Sequence, residues 1–352
     1  MIELDGSTLE GGGQILRTAI SLSAITGKDC RIFNIRKGRE KPGLMLQHLL
    51  GIQAVTQLCH GRLEGDFLSS EEIKFYPGEA YRERVSVGIP TAGSITLVLQ
   101  ALIFPALFAP FLVEINFNGG ATDTFFSPTI DHFRYVFLKN LEKMNGKTEI
   151  NILRRGYYPE GGAEVKAIIF PTKPAPYRNG VSGAELKGIN LIERGQLKKI
   201  LVISGASESL KGKKVAERQI AGVREVLGKL KLPTEQIVEY YDTRCPGSQI
   251  CLIAEFENTI IGTDNLGKLG KRYEDVGKEA ALELLKEERS GACLDKHSAD
   301  QILPYLALAE KKSEVTAGEI TEHCKTNIWV IEKFINGKFE IKNQRISWLP
   351  KS

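Results

Sequence analysis

The stretch Glu10-Gly11-Gly12-Gly13-Gln14-Ile15-Leu16-Arg17 opens the segment whose reading decides the fold. Glycines give way to apolar residues at three-to-four spacing, which predicts a helix from Ile15 to Ile25. A β-branched strand follows from Cys30 to Ile35, then a turn at Lys41-Pro42-Gly43 and a second helix from Leu44 to Cys59. Strand material at Arg62-Leu63-Glu64-Gly65 and from Glu72 to Tyr76 closes the unit.

The same order recurs twice. The second unit opens at Thr91-Ala92-Gly93-Ser94, with a helix from Ile95 to Leu107 and a strand from Phe111 to Phe117. Gly119-Gly120, a helix from Ile130 to Met144, and strands from Lys147 to Arg154 and Glu164 to Phe170 complete it. The third opens at Ser298-Ala299-Asp300-Gln301, with a helix from Ile302 to Ala309 and a short strand from Glu314 to Ala317. A polar turn carrying His323, a helix from Asn327 to Phe334, and strands from Lys338 to Ile341 and Arg345 to Trp348 end it. Each unit reads as β-α-β-α-β-β, an arrangement in which two helices cover one face of a sheet. The expected class is therefore α/β (α+β), with three such repeats packed around a shared helical core.

The repeat is interrupted after the Pro-rich stretch Pro171-Thr172-Lys173-Pro174-Ala175-Pro176, read as a hinge. The residues beyond it alternate strand and helix patterns of their own, with helices from Lys213 to Leu230 and from Glu274 to Glu288. Residues 183–290 are expected to form a small α/β domain inserted between the second and third units. Residues 1–182 and 291–352 would form the three-repeat catalytic domain.

Composition sets bounds. With 352 residues and 42% apolar content the chain can bury one large core or two ordinary ones, and 26% charge excludes wholesale disorder. A net charge of +4 is too small for non-specific coating of nucleic acid, though it leaves room for a local phosphate site. Met1 to Asp5 lacks the basic and apolar regions of a signal peptide. The longest apolar run, Ile95 to Val113, contains Gln100, Pro105 and Pro110 and reads as a buried helix and strand rather than a membrane span. Six cysteines make no C-x-x-C pair and do not cluster with histidine at zinc-finger spacing, so reduced thiols and a cytoplasmic location are expected.

Three residue sets could carry chemistry. Glu10 followed by three glycines puts an acid, able to hold a divalent metal, beside backbone N–H groups that can approach an anion, and Arg17 lies about one turn into the helix. A tight turn with an ordinary helix arginine explains the same residues equally well. Arg36-Lys37-Gly38-Arg39-Glu40-Lys41 concentrates cations suited to a polyanion, against the simpler reading of a solvated basic turn. His323-Cys324-Lys325-Thr326-Asn327 places an imidazole in a polar turn, with Asp300 brought near it by the topology of the third unit. Asp300 also suits a helix N-cap, and a lone histidine is more often a surface or packing residue. His48, His60 and His132 are assigned to helix surface and turn.

In order along the chain, Glu10-Gly-Gly-Gly-Gln14-Ile-Leu-Arg17, Arg36-x-x-Arg39-x-Lys41-Pro42-Gly43-Leu44, Ala92-Gly93-Ser94 with Leu97-Val98-Leu99-Gln100, Gly156-Tyr157-Tyr158-Pro159-x-Gly161-Gly162, Asp300-Gln301 and His323-x-x-Thr326-Asn327 together resemble RNA 3'-terminal phosphate cyclases. The resemblance runs over essentially the whole chain and includes Glu193-Arg194-Gly195 in the interruption. It implies a fold of three repeats with one insertion. It also implies a reaction in which His323 takes AMP from ATP, passes it to an RNA 3'-phosphate, and the ribose 2'-hydroxyl closes a 2',3'-cyclic phosphate.

By the same resemblance Glu10 would hold Mg²⁺ or Mn²⁺. Gln100, Pro128, His297, Asp300 and Gln301 would line the ATP site. Arg17, Arg36, Arg39 and Lys41 would engage RNA or phosphate. The partner implied is an RNA bearing a 3'-terminal phosphate, with no membrane. His297 stands where many relatives carry a tyrosine stacked on adenine, and Ala163 where a third glycine is usual. Two other readings share the fold: a non-catalytic cyclase-like factor of ribosomal RNA processing, which lacks the histidine, and an enolpyruvyl transferase.

Overall fold

The computed structural model describes residues 1–173, 184–230, 232–309 and 311–351. The first unit runs β1 (Ile2–Asp5), α1 (Gly13–Thr26), β2 (Cys30–Phe33), α2 (Leu46–Leu58), β3 (Arg62–Glu64) and β4 (Ile73–Tyr76). α1 ends at Gly27, whose φ of 69° is the left-handed conformation that glycine adopts without a Cβ penalty. The second unit has β5 (Arg84–Ser94), α3 (Ile95–Ala106) and β6 (Val113–Ala121). Then comes a helix formed by α4 (Ile130–His132), a π turn (Phe133–Phe137) and α5 (Leu138–Glu142), followed by β7 (Thr148–Arg154) and β8 (Glu164–Ile169).

A short parallel contact joins β9 (Thr172–Lys173) to β10 (Ala184–Glu185), and β11 (Asn190–Leu191) follows. The interruption holds β12 (Leu197–Ser207), α6 (Val215–Leu227), β13 (Thr234–Tyr241), β14 (Ser248–Phe256), β15 (Ile260–Leu266) and α7 (Tyr273–Ser290). The chain closes with α8 (Lys296–Leu308), β16 (Ser313–Thr316), α9 (Glu322–Phe334), β17 (Gly337–Lys342) and β18 (Arg345–Pro350).

Three sheets share one strand order: β1-β2-β4-β3, β5-β6-β8-β7 and β11-β16-β18-β17. In each the first pair is parallel and the rest antiparallel. A parallel pair needs a crossover, and in every unit a helix supplies it. The apolar faces of these helices meet in one buried cluster, with Ile15 and Leu22 from α1, Val55 from α2, Leu99 from α3, Leu306 from α8 and Ile331 from α9. The fourth sheet, β13-β12-β14-β15, has its own core under α6 and α7, including Val202, Ile220, Leu252 and Leu284. The three-repeat architecture expected from the sequence is the one observed.

Several details differ from the sequence expectation. β1 and β5, the opening strands of the first two units, were not assigned, and Thr91 to Ser94 is the end of β5 rather than a turn. β11 pairs with β16, and Leu186, Ile189 and Leu191 lie in the larger core, so the interruption falls inside the third unit, after its first strand, rather than between units two and three. A two-residue strand carries no readable alternation, which is why the sequence hid it. The expected boundary between residues 182 and 183, and the hinge from Pro174 onward, lie outside the described residues. α8 starts at Lys296, which puts Asp300 inside the helix; the N-cap is Asp295, whose carboxylate accepts from the N–H groups of His297 and Ser298. All six cysteines are buried, and Cys30, Cys245, Cys251, Cys293 and Cys324 are free thiols. No helix of the described residues is long and apolar enough to cross a membrane.

His132 is not on a helix surface. It is fully buried, with Nε2 3.3 Å from Asp295 Oδ1, and this pair ties the second unit to the third. Burial opposes its charge, but Asp295 outweighs burial and holds His132 up to about 9. A histidine raised above its unfolded value of about 6.5 contributes stability that is full below that pH and lost as pH rises through the folded value. The melting temperature is therefore expected to fall between pH 7 and 10, and Asp295→Asn, which keeps a capping oxygen, to remove most of that dependence. Urea titration at pH 7 should show Asp295→Asn destabilised by about 3 kcal/mol, the range for breaking a buried ion pair.

Candidate active site

Glu10 precedes α1 on a turn made possible by two left-handed residues, Leu9 (φ 53°) and Gly11 (φ 59°). A Cβ on Gly12 would overlap both carboxylate oxygens of Glu10, so glycine there is what lets the carboxylate fold back over the start of the helix. The Glu10 carboxylate meets two of the side chains singled out from the sequence. Oε1 is paired with Arg39 Nη2, which also donates to the Glu10 carbonyl at 2.8 Å. Oε2 lies 3.8 Å from His323 Nδ1 and, though buried, has no hydrogen-bond partner.

His323 belongs to the first turn of α9, whose N-cap is Thr321, rather than to a preceding loop. The two polar residues after it explain how it is aimed. Thr326 Oγ1 accepts from the Glu10 N–H at 3.4 Å and donates to the Glu322 carbonyl at 2.7 Å. Asn327 Oδ1 accepts from Gln14 Nε2 at 2.8 Å and Thr18 Oγ1 at 2.6 Å, while its amide donates to the Asp300 carbonyl at 2.8 Å. One buried amide thus fastens α9 to α1 and to α8. Partial burial pushes the His323 imidazole below its usual range, with Arg17 and Arg39 pushing the same way against Glu10. The positive end of α9 adds to that direction. That direction favours the neutral ring at pH 7.

Arg17 is enclosed and donates through Nη2 to Gln14 Oε1 at 2.6 Å. Burial pulls it down to about 10, against Asp300 and Glu10, which leaves it charged at neutral pH. Asp300 is raised to about 8 by burial, with Arg17 opposing. A cleft between α1, α3, α8 and α9 is lined by Gln14, Arg17, Gln100, Gln301, Tyr305 and Asn327 among others, and the Gln301 Oε1 atom is buried without a partner. Gln100 and Gln301 are thereby brought together with Arg17.

The other candidates sit further out. Pro128 is buried, its carbonyl accepting from Thr96 Oγ1 at 2.9 Å near the start of α3. His297 packs edge-on to His132 with ring centroids 5.8 Å apart. Arg36 Nη1 donates to the carbonyls of Lys41 (2.5 Å) and Gly43 (2.9 Å), so it also clamps its own loop. Lys41 is exposed.

A model of the RNA 3'-terminal phosphate cyclase family matches residues 8–341. The chain belongs to this family. It is 42% identical to the RNA 3'-terminal phosphate cyclase of Pyrococcus abyssi over 98% of this chain and 96% of the relative. It is 43% identical to that of Pyrococcus furiosus, over 97% and 95%. With that of Archaeoglobus fulgidus it shares 40% identity over 98% and 99%.

Within this cyclase-family site, sequence reasoning passed over His48. It was placed on a helix surface, yet it lies in the first turn of α2 with its ring against Gly13, and burial with Arg17 and Arg36 drives it down to about 3. The readable signal was its place just after Lys41-Pro42-Gly43, on a helix whose N-terminus faces the glycine turn. The joining role of Asn327 was invisible for a different reason, since its partners on α1 are about 310 residues away. Asn327→Ala strands the buried Thr18 hydroxyl and the Asp300 carbonyl. It is expected to cost about 2 kcal/mol in urea-induced unfolding.

Proposed function

We propose that this protein is an ATP-dependent RNA 3'-terminal phosphate cyclase. It converts an RNA 3'-phosphate to a 2',3'-cyclic phosphate as ATP goes to AMP and pyrophosphate. The observation that carries the reading is His323 at a helix start, facing Glu10 and Arg39 at the same glycine turn, in a chain of this family.

In this reading Nδ1 is turned toward the Glu10 carboxylate and Nε2 is the attacking atom. Nε2 forms a bond to the α-phosphorus of ATP, and the bond to the pyrophosphate oxygen breaks. A terminal RNA phosphate oxygen then attacks the same phosphorus and the imidazole leaves, giving an RNA-adenylate. The ribose 2'-oxygen, losing its proton, attacks the terminal phosphorus and AMP departs. Arg17, Arg36, Arg39 and Lys41 would meet the RNA phosphate. Gln100, Pro128, His297, Asp300 and Gln301 would meet the nucleotide. The charge that builds on phosphate oxygens needs fixed cations around it.

Among the described residues no group of three His, Cys, Asp or Glu side chains could hold a metal. One orphaned Glu10 oxygen does fit a Mg²⁺ or Mn²⁺ that draws most of its ligands from phosphate and water, the usual habit of Mg²⁺. Glu10 would hold such an ion, which would neutralise phosphate charge. We also read residues between β11 and α8 as an inserted unit, and the protein as cytoplasmic.

Incubation with α-³²P-ATP and a divalent metal should leave acid-labile label on the wild type and none on His323→Ala. Equal label on both would move the nucleophile elsewhere. No label on either, with ATP binding intact, would favour the non-catalytic reading. The lowered His323 value adds a pH prediction: the labelling rate stays level from pH 8 to about 6.5, then falls as the ring protonates. Glu10→Gln should reduce labelling by about 100-fold while leaving the melting temperature within a few degrees of wild type.

A further inference from the structure

We infer that Phe125, Phe126 and Tyr158, joined by Arg244, form a stacking platform for the unpaired nucleotides that precede the reacting end of a single-stranded RNA. The inference rests on the cyclase reading and extends it to substrate outside the reacting phosphate. Phe126 is wholly exposed and held at φ 64°, a conformation that side chains with a Cβ rarely adopt. Phe125 and Tyr158 meet edge to face at 5.9 Å while remaining 39% and 59% exposed. Three large rings stand in solvent on two turns that meet through the Phe125–Tyr158 contact, and these turns make up the rim.

The turns that display them are tied down by hydrogen bonds. Thr122 and Asp123 are tied to Gly156 and Arg155, and the Thr129 N–H donates to Asp264 Oδ2 at 2.6 Å, so the loop carrying both phenylalanines is pinned at each end. The turn carrying Tyr158 is closed by the Gly161 N–H on the Tyr157 carbonyl at 2.7 Å, which also accepts from Cys245 Sγ at 3.3 Å. Arg244, one residue before that cysteine, lies against Gly162 so closely that any Cβ there would overlap it. Arg244 is exposed and has no hydrogen bond or ion pair among the described residues.

The platform's loop is tied to α3, the helix that also lines the cleft. Pro128, two residues after Phe126, is bonded to Thr96, and Thr96 lies about 6 Å along α3 from the cleft residue Gln100. Bases have π faces, so aromatic rings and a guanidinium plane bind them without regard to sequence. Glu160 and Asp242 are exposed on the same turns. The rim therefore carries no excess positive charge, and stacking rather than phosphate pairing supplies the binding.

The test uses the full-length protein, a fluorescein-labelled ten-nucleotide RNA 3'-phosphate and fluorescence anisotropy. Phe126→Ala and Tyr158→Ala should each weaken decamer binding about tenfold, with little change on raising salt, and Phe126→Trp should restore it. Labelling by α-³²P-ATP and cyclisation of a dinucleotide 3'-phosphate should stay at the wild-type level. Unchanged decamer affinity in Phe126→Ala overturns the platform. So does an equal loss of ATP labelling, which would give the loop to the nucleotide instead. A change in sedimentation without a change in RNA affinity also overturns it, because the patch would then be a contact between copies. A wild type that binds the decamer through Phe126 yet forms no cyclic phosphate would overturn the cyclase reading and leave the platform standing.

Discussion

The Asn327 side chain is the point on which the site's geometry turns. Its oxygen takes two hydrogen bonds from α1 and its nitrogen gives one to α8, so three helices from the first and third units share one buried amide. An amide is suited to this because it both accepts and donates, and inside a protein each group left unmet costs about 1–3 kcal/mol. Shifting any one of the helices strands several groups at once. His323 lies one helical turn before Asn327, and Glu10 lies four residues before Gln14 on the turn that leads into α1. The distance between imidazole and carboxylate is therefore inherited from a bond that neither of them makes.

The same enclosed setting sorts the charges. Burial acts against the charged form of His323, His48 and Asp300 alike, yet leaves Arg17 cationic because its starting value is so high. A neutral imidazole beside a permanent cation is what attack on a phosphate calls for: an available lone pair, and positive charge that cannot be titrated away. Burial alone does not decide the outcome. His132 is more enclosed than His323 and shifts the opposite way, because Asp295 stands against it with no competing arginine.

The repeat was legible because two helices and their strands leave apolar periods that survive in a single sequence. Opening strands were less so. β5 begins Arg84-Val85-Ser86-Val87 and alternates well, but its later residues, Thr91-Ala92-Gly93-Ser94, look like a turn, and the whole strand was lost with them. β11 is two residues long and over 100 residues from the helix it precedes in its unit, and only pairing with β16 reveals it. In the candidate site, Glu10, Arg39 and His323 were nominated by the order of the motifs rather than by residue type alone, whereas His48 was not, since one imidazole on a short apolar helix reads the same whether it faces water or a glycine turn.

By itself the sequence determined the number of units, the class of the fold and the family, and through the family's motifs it nominated the candidate reactive groups. These follow from local periodicity and from ordered motifs, which need no knowledge of distant contacts. Tertiary structure alone decided where the interruption enters the third unit, that Asp295 rather than Asp300 caps α8, which histidines are buried, and how Thr326 and Asn327 aim His323. Each of these depends on partners far apart in the chain and on the loss of water around them, and neither separation in space nor solvation is written in a run of adjacent residues.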